Sequence, residues 1–369
     1  MKRPHLVSYL MLSAGFTVSV AAQAASYTAV ELGTLGGPYS DAYGINISGQ
    51  VVGFSSTTTS GGRDAFMTGA NGQGMTDLGT LGGSYSSYAY GINASGQVVG
   101  SSSTTSGAYH AFITGANGVG ITDLGTLGGT GSTATGINTS GQVVGYSYTT
   151  SGAYHAFITG ANGQGMTDLG TLGGSDSSAT GINASGQVVG YYIASGTYHA
   201  FITGANGQGM TVLGTLGGLN NVAEGINTSG QVVGVYSTTS GGQDAFMTGA
   251  NGQGMTDLGT LGGNNSGAYG INTSGQVVGF SSTTSGSLHA FLYNNGNMID
   301  LNSLVTLSGG DYFSVARGIN DSGQIIANTA NDNAYLLTPA PVPEANSYTM
   351  MLAGLGLVGF MARSKRKEN

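Results

Sequence analysis

The stretch GINASGQVVG at residues 91–100 recurs, with small changes, from residues 44, 136, 181, 225, 270 and 318. As backbone, GIN closes one strand and QVVG opens the next. Between them N-x-S-G has the letters of a type I turn, with Asn at its first position and Gly at its fourth. That Gly can take the left-handed conformation that closes a hairpin with a bulge. All seven copies keep both residues: Asn46 and Gly49, Asn93 and Gly96, Asn138 and Gly141, Asn183 and Gly186, Asn227 and Gly230, Asn272 and Gly275, Asn320 and Gly323. Each Asn also opens an N-x-S triplet, a formal glycosylation acceptor. The turn already demands those letters, so the phrase reads as one that holds a shape.

Two other phrases keep step with it. LGTLGG starts at residues 32, 78, 124, 169, 213 and 258, and HAF or DAF at 64, 110, 155, 199, 244 and 289. LVTLSGG at 304–310 and NAY at 333–335 are degenerate partners. The spacing of 44–48 residues suits a four-stranded propeller blade. Residues 64–83 and 244–263 are identical, as copying of whole units would leave them. Each unit reads as four strands, AxGIN, QVVGYS, HAFIT and MTDLG, with TLGGSxSS as the longer link to the next. Ala and Gly suit a crowded centre, and the Val-Val and Ala-Phe pairs a layer between blades.

The ends of the repeat region complement each other. YTAVELGTLGG is a fourth strand with nothing before it, and NAYLLTP a third strand with nothing after it. The expected fold is therefore all-β: a seven-bladed β-propeller over residues 25–338. Residues 27–35 would complete the blade begun at 318, leaving no exposed sheet edge. A β-solenoid is the alternative, but it calls for distinct caps rather than complementary fragments.

Composition narrows the functional classes. The 369 residues hold 70 Gly, 5 Pro and no Cys, which excludes disulfide staples, thiolate metal sites and a Cys nucleophile. Only 7% of residues are charged, against about 25% in an ordinary globular domain. Between residues 25 and 341 two arginines stand against fourteen acidic residues, a net of about −12. Such a body repels phosphate, so no nucleic-acid partner is expected.

Both ends carry addresses. Lys2 and Arg3, an apolar run from Leu6 to Ala22, and AQA at 22–24 make a secretory signal over 1–24, with cleavage after Ala24. Residues 339–347 form a Pro-containing linker, and 348–369 an apolar segment with a basic tail. As a helix, residues 349–362 would reach ~21 Å, short of the ~30 Å hydrocarbon core. They are expected to hold the chain transiently in the inner membrane, basic end in the cytoplasm. The order of Val342, Pro343 and Glu344, a Gly-containing apolar helix, and the basic cluster from Arg363 resembles the PEP-CTERM sorting signal. Ala345 stands where that family usually has a second Pro. The resemblance implies an exosortase as processing partner, cleavage near the motif, and delivery to the envelope or extracellular matrix. The bland alternative is a single-pass anchor that stays. The repeats over 27–338 resemble the extracellular HAF repeat family, which implies a secreted repeat protein without a family-wide catalytic site.

Residues that bear chemistry are spread out. His110, His155, His199 and His289 occupy one position in different units, so a ring would disperse them, and no metal site is expected. Hydrogen bonds from His110 to Asp123 and from His155 to Asp168 are expected. Asp64 facing Asp77, Asp244 facing Asp257, and Val212 in place of Asp break that pattern. No G-x-S-x-G elbow, phosphate loop or calcium loop appears, so no cofactor and no catalytic residue is assigned. Tyr39, Tyr43, Tyr85, Tyr88, Tyr90, Tyr109, Tyr154, Tyr198 and Tyr269 lie near loops or strand ends, where aromatic faces beside polar groups could receive sugar rings. Ordinary strand packing explains them equally well. The expected role is non-enzymatic: a structural or binding part in an exopolysaccharide matrix. A lectin-like or protein-binding adhesin is the alternative; a propeller-scaffold hydrolase and a self-assembling β-fibre come behind.

Overall fold

The computed structural model describes residues 26–57 and 62–340. Residues 26–340 form a compact unit of their own. Ala24, the sorting residues Val342, Pro343, Glu344 and Arg363, and the expected helix over 349–362 lie outside the described residues.

The unit is an all-β propeller. In a typical repeat, Gly128–Ile137, Val143–Thr149, Tyr154–Thr159 and Met166–Gly170 form an antiparallel meander. Strand order follows chain order, as short connections favour. Five sheets of four strands are separate, and a sixth has eight strands. Seven separate sheets were expected. The eight-stranded sheet arises where Asn221–Ile226 and its successors meet the repeat opened by Gly262–Ile271. One parallel residue pair, Gln243 with Asn265, joins them. Gly242 permits the approach, since a Cβ there would fall 2.5 Å from the Asn264 carbonyl oxygen.

The remaining sheet is shared between the two ends of the unit. Tyr27–Glu31 pairs antiparallel with Ala334–Pro339, in register from Tyr27 opposite Pro339 to Glu31 opposite Tyr335. This outer strand stops at Glu31, short of the expected residue 35. The first strand of most repeats also starts earlier than AxGIN, at Gly36 or Gly82 for example. Part of the TLGG link is therefore strand. Hydroxyls hold it there: Ser102 Oγ accepts from the Leu81 N–H at 2.9 Å, and Ser147 Oγ from the Leu127 N–H at 2.8 Å.

The core lies between repeats, as the Val-Val and Ala-Phe pairs imply. Val52, Ala65 and Met67 meet Ala89, Val98 and Phe112 of the following repeat, and the same combination recurs around the molecule. Phe66, Phe112, Phe157, Phe201, Phe246 and Phe291 are fully buried. Each contributes about 1.5–3 kcal/mol through removal from water. At the centre, a Cβ on Gly44 would lie 2.9 Å from the Tyr90 carbonyl oxygen, so the inner strands meet closely enough to require Gly there.

The repeated turn ties neighbours together. Each turn Gly donates its N–H to the carbonyl of its Asn at 3.0–3.1 Å, with φ between +71° and +79°. Each Asn Oδ1 accepts the backbone N–H of the residue four further on. That fixes the side-chain amide outward. From there Asn46, Asn93, Asn138, Asn183, Asn227 and Asn272 each donate to the carbonyl of the next Asn, and Asn320 donates back to Asn46. Seven bonds of 2.9–3.2 Å close a circle. All seven Asn are buried, 3–6% exposed, which leaves no side chain free for a glycan.

Candidate functional site

The inner strands line the molecular axis. The Asn circle and the Ile of each GIN enclose a cavity of about 260 Å³ at one end. The same Ile residues and the Gly before them bound a second cavity of about 200 Å³ on the other side.

Beyond the Gly layer the repeats stop being alike. Every inner strand breaks register between the Ala and the Gly of AxGIN. A bulge there releases the intervening residue from the ladder and re-aims its side chain. The released residues are Tyr43, Tyr90, Thr135, Thr180, Glu224, Tyr269 and Arg317. Thr135 and Thr180 donate to the carbonyls of Ala179 and Ala223 in the next repeat, at 2.9 and 2.7 Å. Glu224 occupies the same place and makes no side-chain hydrogen bond among the described residues; burial pushes its carboxyl up to about 7, with the Arg317 charge opposing. Arg317 lies with its guanidinium 4.6 Å from the Tyr269 ring centre and 5.3 Å from that of Tyr43. Its Nε is buried without a partner among the described residues.

Glu224 opens into a cavity of about 360 Å³ walled by Tyr198, Tyr236, Tyr269, Phe280, Asn220 and Gln243. Gly267 shapes it. A Cβ at that position would meet Phe280 Cε1 at 2.5 Å, so the missing side chain is what seats the Phe280 ring. One acid, four aromatic rings and the three amides Asn220, Asn221 and Gln243 thus line a single cavity of a repetitive molecule.

Apart from Tyr85, whose side chain lies outside the described ones, the tyrosines singled out from sequence divide between this ring and its surroundings. Tyr43, Tyr90 and Tyr269 stand at bulges rather than in loops. Tyr39, Phe54, Tyr43, Tyr90, Tyr88 and Tyr109 form a continuous cluster with ring centres 5.3–6.5 Å apart. Arg63 lies over Tyr39 and Phe54 at 5.6 and 5.1 Å and donates from Nε to the Tyr39 hydroxyl at 3.2 Å. Both arginines of the described region therefore rest on this aromatic face. Tyr146, Tyr148 and Tyr154 form a second cluster, and Tyr191 with Tyr198 a third. Tyr109, Tyr148 and Tyr198 stay 37–40% exposed.

The histidines do not converge. His110 pairs with Asp123 at 2.8 Å and His155 with Asp168 at 2.7 Å, as the repeat pattern implies. His289 makes the equivalent pair with Asp300 at 2.7 Å. His199, whose Asp is replaced by Val212, turns to the Thr197 hydroxyl at 2.8 Å. Asp64 and Asp244 are pushed up by burial and by the facing Asp77 and Asp257. No group of three or more metal-ligating side chains occurs among the described residues, and no helix among them is long and apolar enough to cross a membrane.

Reading the sequence for catalytic motifs missed Glu224. Its signal was there: aligned on GIN, the bulge column reads Tyr, Tyr, Thr, Thr, Glu, Tyr, Arg. The two charged residues are the departures.

Solved structures share the fold. Virginiamycin B lyase from Staphylococcus aureus superposes with a TM-score of 0.55 at 12% identity, over 85% of this chain and 100% of that one. A puromycin-hydrolyzing peptidase from Mycobacterium tuberculosis gives 0.54 at 11%, over 81% of this chain and 52% of its own length. TolB from Acinetobacter baumannii gives 0.44 at 10%, over 79% of this chain and 64% of that one, and that score carries no argument about the fold. Such identities speak for architecture alone. No curated protein matches the chain in sequence. The PEP-CTERM protein-sorting motif matches residues 341–367. The chain thus carries the sorting signal of an exported, envelope-associated protein handled by an exosortase.

Proposed function

We propose that this chain is a non-enzymatic binding protein of the cell envelope or extracellular matrix, which holds a saccharide chain on its tyrosine-rich face. The repeats are of the HAF type. The two halves of the eight-stranded sheet count as two blades, giving seven around the axis. The observation that carries the reading is the set of three aromatic clusters, around Tyr39, Tyr88 and Tyr109, around Tyr148, and around Tyr198, in which Tyr109, Tyr148 and Tyr198 stay 37–40% exposed. Flat rings with a polar edge stack on the apolar faces of sugars while their hydroxyls reach the sugar's own. The sorting signal delivers such a face to where polysaccharide is found.

Calorimetry with the host's purified exopolysaccharide tests this, with unrelated polysaccharides as controls. Saturable, selective binding that weakens in Tyr109→Ala and Tyr198→Ala is the expected result. No heat with any polysaccharide refutes it.

A second reading rests on Glu224, whose acidity near 7 suits general acid–base work. Glycoside hydrolysis ordinarily needs two carboxyl groups flanking one bond. Arg317 is the one charged group acting on Glu224, so binding is the better-supported reading. Release of reducing ends from the bound polysaccharide, abolished in Glu224→Gln, would reverse that preference.

A further inference from the structure

The cavity at Glu224 has a chemistry that the rest of the tyrosine face lacks. Its walls include four aromatic rings, Tyr198, Tyr236, Tyr269 and Phe280, and Gln243 lines it with them. Its one carboxylic acid, Glu224, has no side-chain hydrogen-bond partner among the described residues. No cation lines it. Arg317 acts on Glu224 from outside the lining, and its charge rests on the Tyr43 and Tyr269 rings. Neutral sugar hydroxyls can donate to Glu224 but leave its charge unneutralised in a partly desolvated site, which is costly. An ammonium group answers both features, since a carboxylate pairs with it and aromatic faces attract it. The field of a body carrying fourteen acidic residues and two arginines draws cationic polymers toward it.

We infer that this cavity binds an amino sugar, a saccharide unit with a free protonated amine paired with Glu224 inside the aromatic wall. The inference rests on the saccharide-binding reading and gives it a ligand class. The repeat itself explains why this unit alone has the site. In two other repeats the equivalent residue is a Thr that closes onto its neighbour; here a longer acid opens into space cleared by Gly267.

The test is titration calorimetry of the purified protein with a fully deacetylated glucosamine tetramer and with its fully N-acetylated counterpart. It is run at pH 6.5 in two buffers of different ionisation heat. The deacetylated tetramer is expected to bind about 10-fold or more tightly than the acetylated one. Its binding should release protons, because pairing with the amine ionises Glu224. Glu224→Gln should weaken it by about 10-fold or more and abolish the release. Glu224→Thr, which installs the residue of two sister repeats and can restore their hydrogen bond, should do the same in a demonstrably folded protein. Equal affinity for the two tetramers, or full affinity in both variants, overturns the inference and leaves the saccharide reading standing. Failure of both tetramers also overturns it, and the exopolysaccharide titration then decides the broader reading separately.

Discussion

Replacing one asparagine of the buried circle distinguishes a structural turn from a dispensable one. Asn138 is 4% exposed. Its Oδ1 accepts from the Ser140 and Gln142 N–H groups at 3.1 and 3.0 Å, and its amide donates to Gln142 Oε1 at 2.8 Å and to the Asn183 carbonyl at 3.2 Å. Asn138→Ala strands two backbone donors and one buried carbonyl. At about 1–3 kcal/mol for each unsatisfied group, with partial relaxation, the loss should be about 2–5 kcal/mol. Asn138→Asp is the sharper probe. It keeps the accepting oxygen but turns a carboxylate oxygen toward the Asn183 carbonyl. Gln142 can rotate its amide to donate; the carbonyl cannot. The folded carboxyl is therefore raised above its unfolded value of about 3.9. Below that pH the acid is neutral in both states, its O–H can donate, and most stability returns. As pH rises through the folded value, stability is lost. Urea unfolding at pH 3, 5 and 7, with wild type measured alongside, should show the Asp penalty growing with pH and the Ala penalty staying flat. An Asp penalty that does not vary with pH would refute the assignment of that amide as donor.

Glu224 titrates in the same sense in the wild-type protein. Its acidity is raised from an ordinary 4.5 to about 7, so Glu224→Gln should leave stability unchanged below about pH 4 and raise it by up to about 3 kcal/mol above pH 7. Parallel curves for the two proteins from pH 4 to 8 would contradict that burial. Phe157→Ala, at a fully buried position between repeats, should cost about 3–5 kcal/mol in urea unfolding. His155→Ala removes a pair whose Asp168 side chain is 41% exposed; about 0–1 kcal/mol is expected, and a larger loss would give the pair a role beyond local polar contact. Deleting residues 26–31 uncovers the edge of Ala334–Pro339 and should produce concentration-dependent self-association in size-exclusion chromatography. A well-behaved monomer would show that the strand is not needed to cover that edge.

The repeated phrase dictated most of the architecture because its information is local. N-x-S-G specifies a turn through the conformations its four residues prefer. Alternation of Val and Ala-Phe specifies which faces are buried, and the complementary end fragments specify that Tyr27–Glu31 joins Ala334–Pro339. The His–Asp pairs could be read the same way, since adjacent strands of one repeat present them to each other. What makes one repeat different from its sisters could not be read that way. The bulge that turns Tyr43, Glu224 and Arg317 toward the axis depends on how two strands settle in register. The merging of two sheets at Gln243 and Asn265 depends on a close approach at Gly242. The acidity of Glu224 is a property of burial among side chains contributed by neighbouring repeats. Turns follow from a few adjacent residues, whereas a site between repeats is set by distances that exist only once the ring has closed.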